Sequence, residues 1–314
     1  MPNDLYLDEQ LIARIRGIQI RARHLVNDTF LGEYKSAFKG RGLEFEEVRE
    51  YQPGDDIRTI DWNVTARMNH PFIKRHRDER ELTVMFVVDV SGSSKFGTID
   101  RFKNETAAEL TALLAYAALK NNDKVGLLIF SDRVEHYIPP KKGRAHIWRL
   151  IREILSFEPN SKNTDFEKPL SFLNQVLKKK VTCFLVSDFQ VDQFETILSV
   201  TSRRHDLVAI SIQDPREVTL PNIGLIELED AESGMVTIVD TSKSKVRTTY
   251  KSREQQRQMS LSKFFQGSKI DHIQIQMDKP YLDVLVRFFK SRESRSIRSR
   301  GALAKEKSHK GSSF

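Results

Sequence analysis

The chain has 314 residues, 39% hydrophobic and 30% charged, which is enough apolar material for one large domain or two modest ones and excludes a chain disordered throughout. Its formal charge is +8, but residues 291–314 hold seven Lys/Arg against two Asp/Glu, a net of +5, leaving +3 on the other 290 residues. A body so near balance argues against a large basic groove and leaves any contact with nucleic acid or another anionic surface to the tail.

Further exclusions follow from local composition. No strongly apolar run approaches the ~20 residues of a membrane helix, so no membrane insertion is expected. Residues 1–9 are acidic and polar, unlike a secretory signal. The single cysteine, Cys183, rules out an intrachain disulfide and a cysteine-based zinc site, and its apolar surroundings suit a small buried hydrophobe. The expectation is a soluble, cytoplasmic protein.

In chain order, residues 1–30 read as a helical segment with Leu11, Ile15, Ile18 and Leu25 on one face. Residues 31–80 read as a β-rich subdomain of short strands and turns, punctuated by Gly32, Gly40, Gly42 and the Pro53-Gly54 turn, with 216–250 as the stretch that would complete it. Residues 82–90 are apolar almost without alternation, as in a strand buried on both faces. Phe102, Thr106, Leu110, Leu113, Leu114 and Ala117 then recur at helical spacing up to Asn121-Asn122. Strands are expected over 124–130 and 134–138, the second stopped by Pro139-Pro140. A helix opened by Gly143 carries Ile147, Leu150, Ile151 and Ile154, and another, capped by Asp165, carries Phe166, Leu170, Leu173 and Leu177. Strand 181–186, helix 194–204 and strand 207–212 follow. Residues 224–240 read as a hairpin turning at Ser233-Gly234, and strand 272–277 precedes a helix with Leu282, Leu285 and Phe289. Strands separated by helical segments mean an α/β fold, a doubly wound, mostly parallel sheet over residues 81–290, with a small β-rich subdomain beside it. The Ser/Arg/Lys-rich stretch 291–314 is expected to be disordered.

Strand 82–90 runs into Asp89-Val90-Ser91-Gly92-Ser93, and ligand sites of open α/β sheets lie at the carboxyl ends of strands. A carboxylate and two hydroxyls on a tight loop are hard oxygen ligands, suited to Mg²⁺, with Mn²⁺ or Ca²⁺ as alternatives. Two later loops extend the set: Asn163-Thr164-Asp165 precedes a helix and Ser187-Asp188 closes a buried strand. Asp89, Ser91, Ser93, Thr164 and Asp188 together would form an oxygen site of low charge, with a position open to water or to a partner's carboxylate. Taken singly, Asp-x-Ser-x-Ser is also a common turn, Asp188 also suits a cap, and Asp165 reads as a helix cap rather than a ligand.

This constellation resembles the metal-ion-dependent adhesion site of von Willebrand factor A-type domains: a strand ending in Asp-x-Ser-x-Ser, a Thr before a helix and an Asp closing a later strand, in that order. The resemblance implies that Ser91 and Ser93 ligate a divalent ion directly, that Thr164 does so directly or from behind another ligand, and that Asp89 and Asp188 act through water. Lys162-Asn163 stands where many members have Gly-Gly before the Thr. Catalysis is not indicated. A phosphatase using Asp89 as nucleophile would need a second Asp two residues on, where Ser91 stands, and the P-loop and Gly-x-Ser-x-Gly patterns are absent. A metal-dependent hydrolase using Asp89 and an anionic-surface binder using the basic tail remain the alternatives.

Three arginines, Arg49, Arg58 and Arg67, interleave with three aspartates, Asp55, Asp56 and Asp61, within 19 residues that also hold Tyr51 and Trp62. Arg forks match carboxylates, so the spacing suits an ion-pair network holding the β-rich subdomain to the α/β sheet. The other reading is a partner-recognition face formed by Arg49, Tyr51, Asp55, Asp56, Arg58, Trp62 and Arg67. Phe38-x-Gly40-x-Gly42-x-x-Phe45, Arg49-x-Tyr51, Gly54-Asp55-Asp56-x-Arg58, Ile60-Asp61-Trp62 and Ala66-Arg67 resemble the bacterial family called domain of unknown function 58. Its members join such a segment to a von Willebrand factor A-like domain and are typically encoded beside MoxR-type AAA+ ATPases. The resemblance implies a non-enzymatic adaptor working with a MoxR-type ATPase in chaperone-like maturation of a client protein, which would supply the Asp or Glu that completes the metal shell.

Overall fold

The computed structural model describes residues 9–38, 44–57, 60–68, 70–77, 81–99 and 101–310, with side chains described except at 44–47, 74–77 and 296–310. The chain opens with α1 (Glu9–Leu25) and α2 (Asp28–Phe38), separated where the Asn27 side chain accepts the Phe30 amide at 2.9 Å and starts the second helix. Phe30, Tyr34 and Phe38 recur every four residues on the buried face of α2, so this stretch is helical where the turn residue Gly32 suggested strands. Then come β1 (Glu44–Glu50), α3 (Trp62–Met68) and β2 (Phe72–Arg77), with β1 and β2 forming an antiparallel pair of their own.

The main body follows as β3 (Thr83–Asp89), α4 (Lys103–Lys120), β4 (Lys124–Phe130), β5 (Val134–Lys141), α5 (Arg144–Ser156), α6 (Glu167–Val176), β6 (Thr182–Ser187), α7 (Glu195–Arg204), β7 (Asp206–Gln213), α8 (Pro215–Val218), β8 (Leu225–Glu229), β9 (Val236–Asp240), α9 (Ser244–Gly267), β10 (Asp271–Gln276) and α10 (Tyr281–Lys310). Six strands form one sheet in the order β10-β7-β6-β3-β4-β5, parallel except for β5. β5 runs through Pro139-Pro140 to Lys141 because an edge strand can spare the missing amides.

Alternation along β3 sends Val84, Phe86 and Val88 into one core with α1, α2, α4, α5 and α10, and Met85 and Val87 into another with α6, α7 and α9. Both faces are therefore covered, the reason these strands read as unbroken apolar runs. Among the described residues β8 and β9 make a two-stranded hairpin that shares no sheet with β1 and β2. No helix among the described residues is long and apolar enough to cross a membrane.

The carboxyl-terminal stretch differs from expectation. Helix α10 continues through Ser291 to Lys310, and Arg292, counted with the tail by composition, is only 8% exposed. Its guanidinium donates to Asp206 and to Asp271 (2.6 Å), bonds the Ala37 carbonyl at 3.2 Å and lies 4.6 Å from the Phe38 ring. One side chain thus ties α10 to α2 and to the first residues of β7 and β10. Removing one partner of a buried ion pair strands the rest, so Arg292→Ala is expected to cost about 3–5 kcal/mol of stability. Lys290→Ala, whose pair with Glu33 is exposed and 3.7 Å long, should stay within about 0.5 kcal/mol; guanidinium denaturation of both variants checks this.

Two imidazoles set an acid limit. Burial pushes His205 and His272 each down to about 4. The unfolded chain binds these protons near pH ~6.5, so stability should fall as pH drops from about 6.5 toward 4. Thermal midpoints across that window should show the loss, and His205→Asn with His272→Gln should flatten it.

Candidate functional site

The chain leaves β3 for β4 on one side and returns to β6 on the other, which makes the β3–β6 crevice the topological switch point of the sheet. The parallel register pairs Val88 with Val186, so Asp89 and the Ser187-Asp188 turn emerge side by side at the carboxyl edge. Asp89 is buried; its carboxylate accepts the Ser91 amide at 2.9 Å and the Ser187 hydroxyl at 2.7 Å. The first bond folds the Asp-x-Ser-x-Ser loop back on itself into a single 3₁₀ turn over Gly92–Lys95, with the Ser91 and Ser93 hydroxyl oxygens 3.3 Å apart. The Gly92 amide donates to the Lys162 carbonyl at 2.9 Å, which straps the segment carrying Thr164 to this loop.

Asp188 is aimed by an unusual turn. Phe189, buried and at φ 54°, adopts the left-handed conformation that aromatic residues rarely take. Arg257 of α9 holds it there by donating to the Phe189 carbonyl at 3.0 Å. Asp188 accepts the Gln190 amide at 3.1 Å and the Lys103 ammonium at 2.8 Å. Lys103, 4% exposed, opens α4 directly behind the motif loop and also pairs with Glu217 of α8. A second strap fixes α8: the buried Asp214 carboxylate accepts the Thr98 amide at 2.8 Å and its hydroxyl at 2.5 Å.

The charges respond to this packing. Burial and the neighbouring Asp188 push the Asp89 carboxyl up to about 7, against the hydrogen bonds from Ser187 and Ser91. Burial would raise Asp188, but Lys103 with the hydrogen bonds from the Gln190 amide and Ser93 holds it below the usual carboxylate range. Burial alone would lower Lys103, but the two carboxylates raise it and keep it charged. Ser93 and Thr164 stay half-buried at the mouth, while Ser91, Asp89 and Asp188 line the floor. The Thr164 hydroxyl donates to Glu232 at the tip of the β8–β9 hairpin, 2.6 Å away. Burial, opposed by that hydrogen bond, raises the Glu232 carboxyl.

The crevice therefore gathers Asp89, Ser91, Ser93 and Asp188 on the two strand ends, while Thr164 bonds Glu232 and its segment is tied to the motif loop through Lys162 and Gly92. Asp165 accepts the Glu167 amide at 2.8 Å just ahead of α6, whose N-cap position is Phe166 rather than the Asp165 expected from sequence. The motif reading did not include Lys103, Glu217, Glu232 or Arg257. Among these, only Lys103 carried a local signal, as the first helical residue behind the motif loop.

The Arg/Asp-rich segment lies on β1, α3 and their connection. Arg49 pairs with Asp55 at 2.7 Å, and Asp55 also accepts the Gln52 amide at 2.8 Å, so these bonds close the β1–α3 connection on itself. Asp61 caps α3 through the Asn63 amide at 3.0 Å. Tyr51 is half-buried, whereas Asp56, Trp62 and Arg67 face solvent beside exposed Ile57 and Met68. Arg58, Gly40 and Gly42 lie outside the described residues.

The family described as protein of unknown function DUF58 matches residues 47–260. The chain is 29% identical over 301 residues to the uncharacterized protein Rv1480 of Mycobacterium tuberculosis, covering 95% of this chain and 92% of that one. It is 26% identical over 107 residues to the uncharacterized protein YeaD of Bacillus subtilis, 34% of this chain and 25% of that one. Among solved structures it is similar to the conserved hypothetical protein BatB from Bacteroides thetaiotaomicron, with a TM-score of 0.45 and 12% identity over 68% of this chain and 99% of that one.

Lys103 is the test of the site's architecture. Lys103→Met keeps the length and removes the charge, leaving Asp188 and Glu217 facing each other in a buried place. The expected cost is about 3–5 kcal/mol in denaturant unfolding, and Glu217→Gln, which leaves the Lys103–Asp188 pair in place, should cost less.

Proposed function

The chain belongs to the DUF58 family of proteins of unknown function, and from that premise and the crevice geometry we propose a non-enzymatic interaction module. In this reading a von Willebrand factor A-like domain captures an acidic group of another protein through a divalent cation. The observation that carries it is the convergence of hydroxyls and carboxylates at the switch point between β3 and β6, with Ser91 buried and Ser93 partly exposed.

The donor set fits a hard cation. Ser91, Ser93, Thr164, Asp89 and Asp188 offer oxygen only; no group of three or more His, Cys, Asp or Glu that could hold a metal occurs among the described residues, so the proposed coordination rests on the hydroxyls. A site resting on hydroxyls has low charge, the setting in which Mg²⁺, or Mn²⁺ or Ca²⁺, keeps affinity for a further anionic ligand. The Asp89 carboxyl, lifted to about 7 by burial and by Asp188, marks negative charge that a cation would relieve. Ser91 and Ser93 would hold the ion, with Thr164 beside them and the two aspartates behind. When bound, the ion would supply a Lewis-acid position that a partner's Asp or Glu completes. Lys103 already pairs with Asp188 at 2.8 Å and supplies part of its counter-charge.

The non-enzymatic reading is supported by what surrounds Asp89. The residue two places on is Ser91 rather than a second carboxylate, and Cys183 is buried, its thiol pushed well up by burial. The proposed role includes, as what the motif resemblance implies, that of an adaptor beside a MoxR-type AAA+ ATPase in chaperone-like maturation of other proteins in the cytoplasm.

Mg²⁺ should raise the thermal midpoint of the wild type, since a ligand at 100 times its Kd adds about 2.7 kcal/mol, and EDTA should reverse the gain. Asp89→Asn with Ser91→Ala should abolish the response. Affinity purification with Mg²⁺ and with EDTA tests the partner: an acidic protein should be lost in EDTA and with the double variant. A Mg²⁺ shift that survives the double variant, or identical capture in EDTA, would sink the proposal.

A further inference from the structure

The hairpin tip rests on the motif loop. A Cβ at Gly92 would lie 2.2 Å from the Ala231 carbonyl oxygen, so only glycine lets the two backbones approach this closely. Beside that contact the Thr164 hydroxyl donates to Glu232 Oε1. Glu232 is half-buried while Ala231, Ser233, Gly234 and Met235 around it are exposed, so it is the side chain that the turn sends inward.

The turn is set to do this. The Asp230 carboxylate accepts the Ser233 amide at 2.7 Å and the Glu232 amide at 3.1 Å, and Gly234 takes a φ of 70°. Away from the tip, β8 and β9 pair with each other and with no other strand among the described residues. The base is clasped separately. The buried Thr241 hydroxyl donates to the Gly224 carbonyl at 2.7 Å and accepts the Ile223 amide at 3.1 Å, and Gly224 turns at φ 86°. The hairpin is an arm pinned at its base, whose tip presents one carboxylate to the crevice.

We infer that Glu232 is the crevice's own carboxylate ligand, a tethered stand-in for the Asp or Glu of a partner. The inference rests on the cation-dependent reading above and adds its regulation: arm and acidic partner take the same position, so the partner enters as the tip lifts. A carboxylate that shares the Thr164 hydroxyl, on a backbone touching Gly92, already stands where an acidic ligand must come. The arm occupies that position at a high effective concentration because its base stays attached.

The test uses the full-length protein with Mn²⁺ alone as the probe, comparing wild type, Glu232→Ala, Glu232→Gln and Ser91→Ala. Free Mn²⁺ is counted by electron paramagnetic resonance, and water bound to the ion by proton relaxation. Glu232→Ala should bind Mn²⁺ at least about tenfold more weakly, the loss expected for one ligand group, with one more bound water than the wild type. Glu232→Gln should fall between the two. Mn²⁺ should slow hydrogen exchange over residues 229–236 in the wild type and leave Glu232→Ala unchanged. If Glu232→Ala keeps wild-type affinity and water count while Ser91→Ala loses the ion, the tethered ligand is wrong and the cation site stands. A wild type that binds no Mn²⁺ overturns both.

Discussion

One buried ammonium organises the carboxyl edge of the sheet. Lys103 begins α4 and meets Asp188, which follows β6, and Glu217, which follows β7, so loops from three strands close on one charge. Taking an ammonium out of water is costly unless anions surround it, and this requirement fixes where the Asp188 turn and α8 can sit. The Phe189 backbone conformation, the Arg257 bonds to that turn and the Asp214–Thr98 strap maintain the same arrangement. Asp188 therefore takes its counter-charge from within the chain.

The layered α/β body was legible because its strands are covered on both faces and therefore read as apolar runs, with helices of clear period between them. What escaped reading has physical causes. Helix α9 spans 24 residues yet buries only Leu261 and Phe265, so it offers almost no apolar stripe. In α2 the signal lay in Phe30, Tyr34 and Phe38 at four-residue spacing, while Gly32 suggested a turn. The proline pair stopped β5 on paper, but the unpaired edge of an outer strand tolerates it. Composition alone could not show that Arg292 is drawn inside by carboxylates at the starts of two strands.

The candidate site divides the same way. Asp89, Ser91, Ser93 and Asp188 follow from strand ends, since a doubly wound sheet brings successive strand termini to one edge. The groups that tune them arrive from far along the chain: Lys103 reaches Glu217 across 114 residues, and Thr164 reaches Glu232 across 68. No local pattern announces such pairs. Glu232 sits in a turn whose residues look like ordinary hairpin punctuation, and only the approach of Ala231 to Gly92 shows what the turn faces.

The two ends of the sheet treat charge differently. At the amino edge, Arg292 meets Asp206 and Asp271 at the first residues of β7 and β10, and Arg295 meets Asp271 again at 2.8 Å, so cations and carboxylates are matched. Two arginines counted with the basic tail are thus engaged by the folded body. At the carboxyl edge, Lys103 meets Asp188 and Glu217, while Asp89 and Glu232 take their hydrogen bonds from hydroxyls and backbone amides rather than from a cation. Burial and mutual repulsion raise the Asp89 carboxyl. A structural lock gains nothing from such an excess, because each further buried carboxylate adds desolvation and repulsion. The amino edge thus matches each of these carboxylates with a cation, whereas the carboxyl edge carries Asp89 and Glu232 on hydroxyl and amide donors beside the Lys103 cluster.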